Sequence, residues 1–173
     1  MIIFLQGSFQ NGPSPTNVLK LNVNAALFGG IATLAVIARD DSGSILQCWT
    51  KRCYTIDLCF VEAAALLCAL ELARDNHFPK IMVEGDAKIC IEAISASSNT
   101  IPWKIFSIVA NIKFLALAFS ACSFCWVHRD ANGVAHALAK YASSQPLCFS
   151  CTGSNLPPSM SKAWIRNLSA LSS

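Results

Sequence analysis

Charge is scarce in this sequence: 13% of its 173 residues are Asp, Glu, Lys or Arg, against 54% that are hydrophobic. So few charges on so apolar a chain exclude disorder over most of its length, and the length suits one domain with a sizeable core. Long apolar runs are missing as well. A membrane span needs about 18 consecutive apolar residues. The nearest approach, Ile105 to Val127, is interrupted by Ser107, Asn111, Lys113 and Ser120, so no membrane association is expected. The opening MIIFLQGSFQ lacks the basic start and long apolar stretch of a secretory signal, which points to the nucleus or cytosol. Basic clusters are absent too. Apart from Lys51-Arg52 the cations stand singly, and a net charge of +3 permits nucleic-acid contact without announcing it.

An even set of cysteines is also lacking. There are nine, and most lie in apolar runs, as Cys59, Cys68 and Cys90 do, which suits buried free thiols better than a disulfide framework. Cys122-x-x-Cys125 and Cys148-x-x-Cys151 imitate a four-cysteine zinc site and keep a zinc-dependent interaction module as an alternative. Side chains three apart on a strand over Ala121 to Val127 point to opposite faces, which argues against it.

What is present is punctuation and period. Residues 1–18, with Gly7, Gly12, Pro13 and Pro15, read as an irregular leader, 19–143 as the domain and 144–173 as a C-terminal tail rich in Ser and Pro. Lys20 to Asn24, Ile31 to Arg39 and Ser44 to Tyr54 are β-rich runs divided by Gly29-Gly30 and by Asp40-Asp41-Ser42-Gly43, the punctuation of successive hairpins. In the first run Leu19, Leu21 and Val23 alternate with Lys20, Asn22 and Asn24. Asp57 to Asp75 is the strongest helical stretch, free of Gly and Pro, with Thr55 or Asp57 as its cap. A strand Lys80 to Glu84, a helix Ala87 to Ala96, a helix Trp103 to Phe119, a strand Ala121 to Val127 and a helix Gly133 to Ala142 capped by Asp130 or Asn132 follow. A further short helix over Trp164 to Leu171 is expected in the tail. The order βββαβααβα implies an α/β fold with a five-stranded mixed sheet, three antiparallel strands and then helix-linked ones, flanked by helices.

Two acids merit attention. Glu62 lies in the most apolar helix, where it either turns to solvent or serves as a metal ligand. Asp86 follows a strand and Gly85, a layout that suits either a site at the strand's carboxyl end or a helix cap.

The stretches LKLNVNAA, VIARDDSGSIL, FVEAAALLCALELA, IMVEGDAKICIEAI and FCWVHRDANGVAHALAKYA, in this order and at this spacing, resemble the ribonuclease H type 1 domain. The resemblance is to its divergent reverse-transcriptase-like form, abundant in plant genomes and related to retrotransposons. It implies a ribonuclease H-like fold and a nucleic-acid partner, an RNA–DNA hybrid or related duplex, acting as a monomer. The activity it implies is hydrolysis of the hybrid's RNA strand by four carboxylates that hold two Mg²⁺ ions. Carried onto this sequence, those positions are Asn24, Glu62, Asp86 and His136. Two carboxylates remain of four. The expectation is therefore weakened or lost metal binding, with Mn²⁺ as a possible substitute for Mg²⁺, and weak or absent cleavage. A catalytically inactive binding or structural domain of the same fold is the alternative. Glu84 and Asp130 are the nearest acids that could compensate, though surface or capping roles are more ordinary for them. His128 matches poorly the mobile proton carrier that bacterial and retroviral members place before the last helix and reads as a surface histidine, and His77, in the turn before Pro79, has no evident partner.

Overall fold

The computed structural model of the chain describes residues 2–4, 17–97 and 100–171, with side chains over 17–97 and 100–165. The described chain begins with a short strand, β1 (Ile2–Phe4), inside the segment read as a leader. Residues 5–16 of that leader lie outside the described residues. Next come three antiparallel strands, β2 (Leu19–Phe28), β3 (Ile31–Arg39) and β4 (Ile45–Tyr54). Gly29 and Gly30, at φ 58° and 79°, supply the two left-handed positions of a tight hairpin turn, so β2 and β3 pair to their tips. β2 runs four residues beyond the expected Asn24, because Ala25 to Phe28 stay paired with β3 as far as that turn. At the next turn Asp40 Oδ1 accepts from the backbone N–H of Ser42 and Ser44, at 3.0 and 2.9 Å.

Helix α1 (Leu58–Asp75) starts on Asp57, whose carboxylate accepts from Phe60 N–H at 3.1 Å. It ends where His77 takes a left-handed φ of 57° and Phe78 N–H reaches Ala73 O at 2.9 Å. The chain continues through β5 (Lys80–Gly85), α2 (Lys88–Ser95), α3 (Phe106–Ala116), β6 (Ala121–Trp126) and α4 (Gly133–Ser143). The helix expected from Trp103 enters α3 through a tighter 3₁₀ turn, Trp103–Ile105. In the tail, β7 (Ser150–Thr152) pairs antiparallel with β4, and α5 (Pro158–Leu171) begins six residues before the expected Trp164 and packs on α4.

The sheet order is β1-β6-β5-β2-β3-β4-β7, with β5 parallel to β2 and to β6. Its five central strands are the expected mixed sheet; β1 and β7, three residues each, extend the two edges. One face carries Leu21, Val23, Val36, Val83 and Phe124 against α1, α2 and α3, and the other carries Ala35, Ile37 and Cys48 against α4 and α5. Among the described residues no helix is long and apolar enough to cross a membrane.

The alternation in β2 is as expected, but its polar side is not solvated. Lys20, Asn22 and Asn24 are 6%, 2% and 3% exposed, because they share the α4 side of the sheet. Lys20 Nζ meets Glu84 Oε1 at 2.8 Å, Asn22 Nδ2 donates to Glu84 Oε2 at 2.9 Å, and Arg39 Nε donates to Asn22 Oδ1 at 2.8 Å. This buried network occupies Glu84, which sits opposite Asn22 in the sheet and is no substitute ligand for a cleft further along the strand.

None of the nine cysteines forms a disulfide and six are buried. The four-cysteine zinc site is overturned by the topology. Cys122 and Cys125 lie on β6, Cys151 lies on β7 beside Cys48, and four strands stand between β6 and β7. At one strand spacing per step the two pairs are roughly 20 Å or more apart.

Candidate functional site

The site lies where the carboxyl ends of β2 and β5 meet α1 and the start of α4. The β2–β5 pairing ends at Asn22 and Glu84, and just beyond it Asp86 lies close enough for its charge to act on both Glu62 and His136. Gly85 packs closely on β2, since a Cβ there would lie 3.1 Å from Val23 Cγ2 and Val23 would have to give slightly. Asp86 does not use its side chain to cap α2, whose cap position is Ala87. Its Oδ1 accepts from Asn132 Nδ2 at 3.2 Å, and its carbonyl accepts from Trp126 Nε1 at 3.1 Å. Of the two sequence readings of Asp86, the helix cap is not the one its side chain adopts; it turns towards Asn132 instead.

Glu62 extends from the second turn of α1 into the same space. Burial, and then the neighbouring Asp86 charge, push its carboxyl up to about 8, while Arg129 pulls in the opposite direction. Glu62 and Asp86 are thus two acids close enough for each charge to disfavour the other.

The remaining two positions have settled differently. Asn24 Nδ2 lies 3.2 Å from His136 Nδ1, so the amide donates to a neutral imidazole. Desolvation and the nearby Arg129 hold His136 below its ordinary value, which keeps it neutral. Arg129 Nη2 is 3.4 and 3.5 Å from the two ring nitrogens. Where two carboxylates would need a cation between them, Asn24 and His136 satisfy each other.

Sequence reasoning brought Asn24, Glu62, Asp86 and His136 to one place but missed Arg129 and the second role of Asn132. Asn132 occupies the cap position of α4, as expected, yet its side chain makes no capping bond. It is 1% exposed, and its Nδ2 also donates to Val23 O at 2.7 Å, which ties α4 to the end of β2. Among the described residues its buried Oδ1 has no hydrogen-bond partner. An Asn in a D-A-N-G turn reads first as a cap, so nothing local signals this bridge. His128 is exposed and 3.4 Å from Asp130, outside the cluster, and His77 serves the end of α1.

The profile of the reverse transcriptase-like family matches residues 23–142. The chain belongs to this family. Solved structures agree on the fold. Ribonuclease H1 from the halophilic archaeon Halobacterium salinarum is 23% identical, with a TM-score of 0.67, covering 72% of this chain and 96% of that one. LC11 ribonuclease H1, isolated from compost by metagenomics, is 18% identical, with a TM-score of 0.64, covering 75% of this chain and all of its own. The same LC11 enzyme solved in complex with an RNA/DNA hybrid is 17% identical, with a TM-score of 0.63, over 73% of this chain and 99% of that one. No curated protein matches. The family match ends at Ala142, the penultimate residue of α4, so β7 and α5 lie beyond it.

A pair of Mg²⁺ ions does not fit the residues of this member of the family. Two ions bring four positive charges. The cleft offers Glu62 and Asp86, an amide, an imidazole and the Arg129 guanidinium, and among the described residues no group of three His, Cys, Asp or Glu could hold a metal. One divalent ion against Glu62 and Asp86 would balance their charge.

Glu62 gives a direct readout of this state. Its carboxyl is raised in the fold above its unfolded value, so its contribution to stability is fully present below about pH 4.5 and is lost as pH rises through about 8. Glu62→Gln, which cannot ionise, is expected to leave stability at pH 5 nearly unchanged and to raise it above pH 8. Chemical denaturation in chelator at both pH values checks this; equal effects at both would contradict it.

Proposed function

We propose that this chain is a ribonuclease H-like domain that binds RNA–DNA hybrid or a related duplex and cleaves it weakly or not at all. The proposed setting is the nucleus or cytosol, and the acting form a monomer. Family membership and the hybrid-bound LC11 relative support the partner. The Asn24–His136 hydrogen bond carries the second half of the reading, because it replaces two charged positions with a neutral pair that has no need of a metal.

Recognition on this reading is of shape. A hybrid presents an A-like groove and 2′-hydroxyls, which the half-buried neutral imidazole of His136, held from behind by the buried Asn24, suits better than a carboxylate would. Arg129 faces the approaching phosphates. Lys88 Nζ, 5.6 Å from the centre of the Trp126 ring, adds a cation beside Asp86. Glu62 and Asp86 would hold a single divalent ion, with Mg²⁺ or Mn²⁺ as the candidates, through hard oxygen ligands.

Fluorescence anisotropy in chelator tests the binding half. A labelled hybrid is expected to bind more tightly than the all-DNA duplex of the same sequence, with an affinity that falls as salt rises. Equal and negligible binding of both would sink the reading.

A further inference from the structure

A pocket of about 780 Å³ opens beside this cleft, between the first turns of α4 and α5, and part of its wall is built by the tail beyond the family match. Arg129, Gly133 and His136 line one side, Ser159 and Lys162 the other, and Asp130 its rim. Lys162 is exposed, and among the described residues neither it nor Arg129 has a carboxylate within ion-pair distance. Asp130 is already beside His128, at 3.4 Å. Two cations with no ion-pair partner among the described residues, a hydroxyl and the backbone at Gly133 therefore line one space, against the single acid Asp130, which is shared with His128. Small residues in the wall leave it room, far more than a single phosphate fills. His136 is common to the pocket and the cleft, so a strand leaving His136 would pass directly into it.

We propose that this pocket is a phosphate site, and that the phosphate it takes is a backbone phosphodiester of the bound nucleic acid, held by Arg129, Lys162 and the Ser159 hydroxyl. The second clause rests on the nucleic-acid reading above; the first does not. A guanidinium gives a planar two-point contact, an ammonium a point charge from the opposite wall, and the sugar of the same nucleotide fits the remaining volume. The tail thus lengthens the binding track past the metal position.

The test has two arms on the full chain. In the first, inorganic phosphate is titrated while backbone amide resonances are followed by NMR. Saturable shifts at Gly133 and Ser159 that Lys162→Glu removes and Lys162→Arg retains are expected; their absence overturns the phosphate site. In the second, hybrid affinity is measured across a salt series. Lys162→Glu is expected to weaken binding roughly five- to tenfold near 0.1 M salt and to lower the salt slope by about one, with Lys162→Arg close to wild type and all thermal midpoints alike. Wild-type affinity and slope in Lys162→Glu would overturn the backbone assignment. If the wild type binds no hybrid while the phosphate arm succeeds, the nucleic-acid reading fails and the site belongs to a free phosphate or phosphomonoester.

Discussion

Replacing Glu84 with Gln lowers the stability of the folded chain by about 3–5 kcal/mol, the range typical of removing one partner from a buried ion pair. Glu84 is 4% exposed and lies against Lys20 and Asn22, with Arg39 one bond away through Asn22 and 4.0 Å from the carboxylate. Desolvation already pulls the Arg39 guanidinium below its ordinary value, and the Glu84 charge is the influence that opposes it. Gln keeps the shape and one acceptor but removes that charge, so two buried cations face each other with the desolvation cost uncompensated. The exposed pair Lys51–Glu71 is the contrast, since Glu71→Gln there changes stability by less than about 1 kcal/mol. Urea denaturation of the two variants at neutral pH measures the difference. A Glu84→Gln effect as small as that of Glu71→Gln would show that the network is not the anchor of this side of the sheet.

That network shows how far the sequence could be read. Period two in LKLNVN places Leu21 and Val23 on one face and Lys20, Asn22 and Asn24 on the other, and the structure agrees. Alternation says which side a residue faces, however, and not what covers that side. Here α4 and α5 cover it, so polar residues that look solvated are paired in the interior. The long helix and its cap at Asp57 were legible because they depend on local propensity and one short-range bond. β1 and β7 were not, because three residues carry no period and their pairing comes entirely from distant partners. The site divides in the same way. Glu62 and Asp86 could be picked out from their local settings, as an acid in an apolar helix and an acid after a strand. The contacts of Arg129 with His136 and of Asn132 with Val23 and Asp86 depend on the fold having brought the loop before α4 to the end of β2.

The second large effect is expected from restoring charge at the two altered positions. Asn24→Asp with His136→Asp turns a hydrogen-bonded neutral pair into two more carboxylates beside Glu62 and Asp86. Without divalent ions these four acids repel, so the double variant is expected to be less stable than wild type in chelator at pH 8. Millimolar Mg²⁺ binds only the folded form and is expected to return about 3 kcal/mol of stability when its concentration is a hundredfold above the dissociation constant. Wild type, with Asn24 and His136 bonded to each other, is expected to show a much smaller response. Thermal denaturation with and without Mg²⁺ reads this directly, and an equal response in both proteins would mean that Asn24 and His136 do not border the metal position.

The central claim is that the fold and cleft of a ribonuclease H persist here while the charge needed to hold two metals does not. Cleavage of a labelled RNA–DNA hybrid in Mg²⁺ and in Mn²⁺ tests it most directly, comparing wild type, Glu62→Gln and the Asn24→Asp, His136→Asp double variant. Hybrid is expected to be bound by wild type but cut hardly more than by Glu62→Gln, with cleavage gained by the double variant. Robust Mg²⁺-dependent cleavage by wild type that Glu62→Gln abolishes would contradict it.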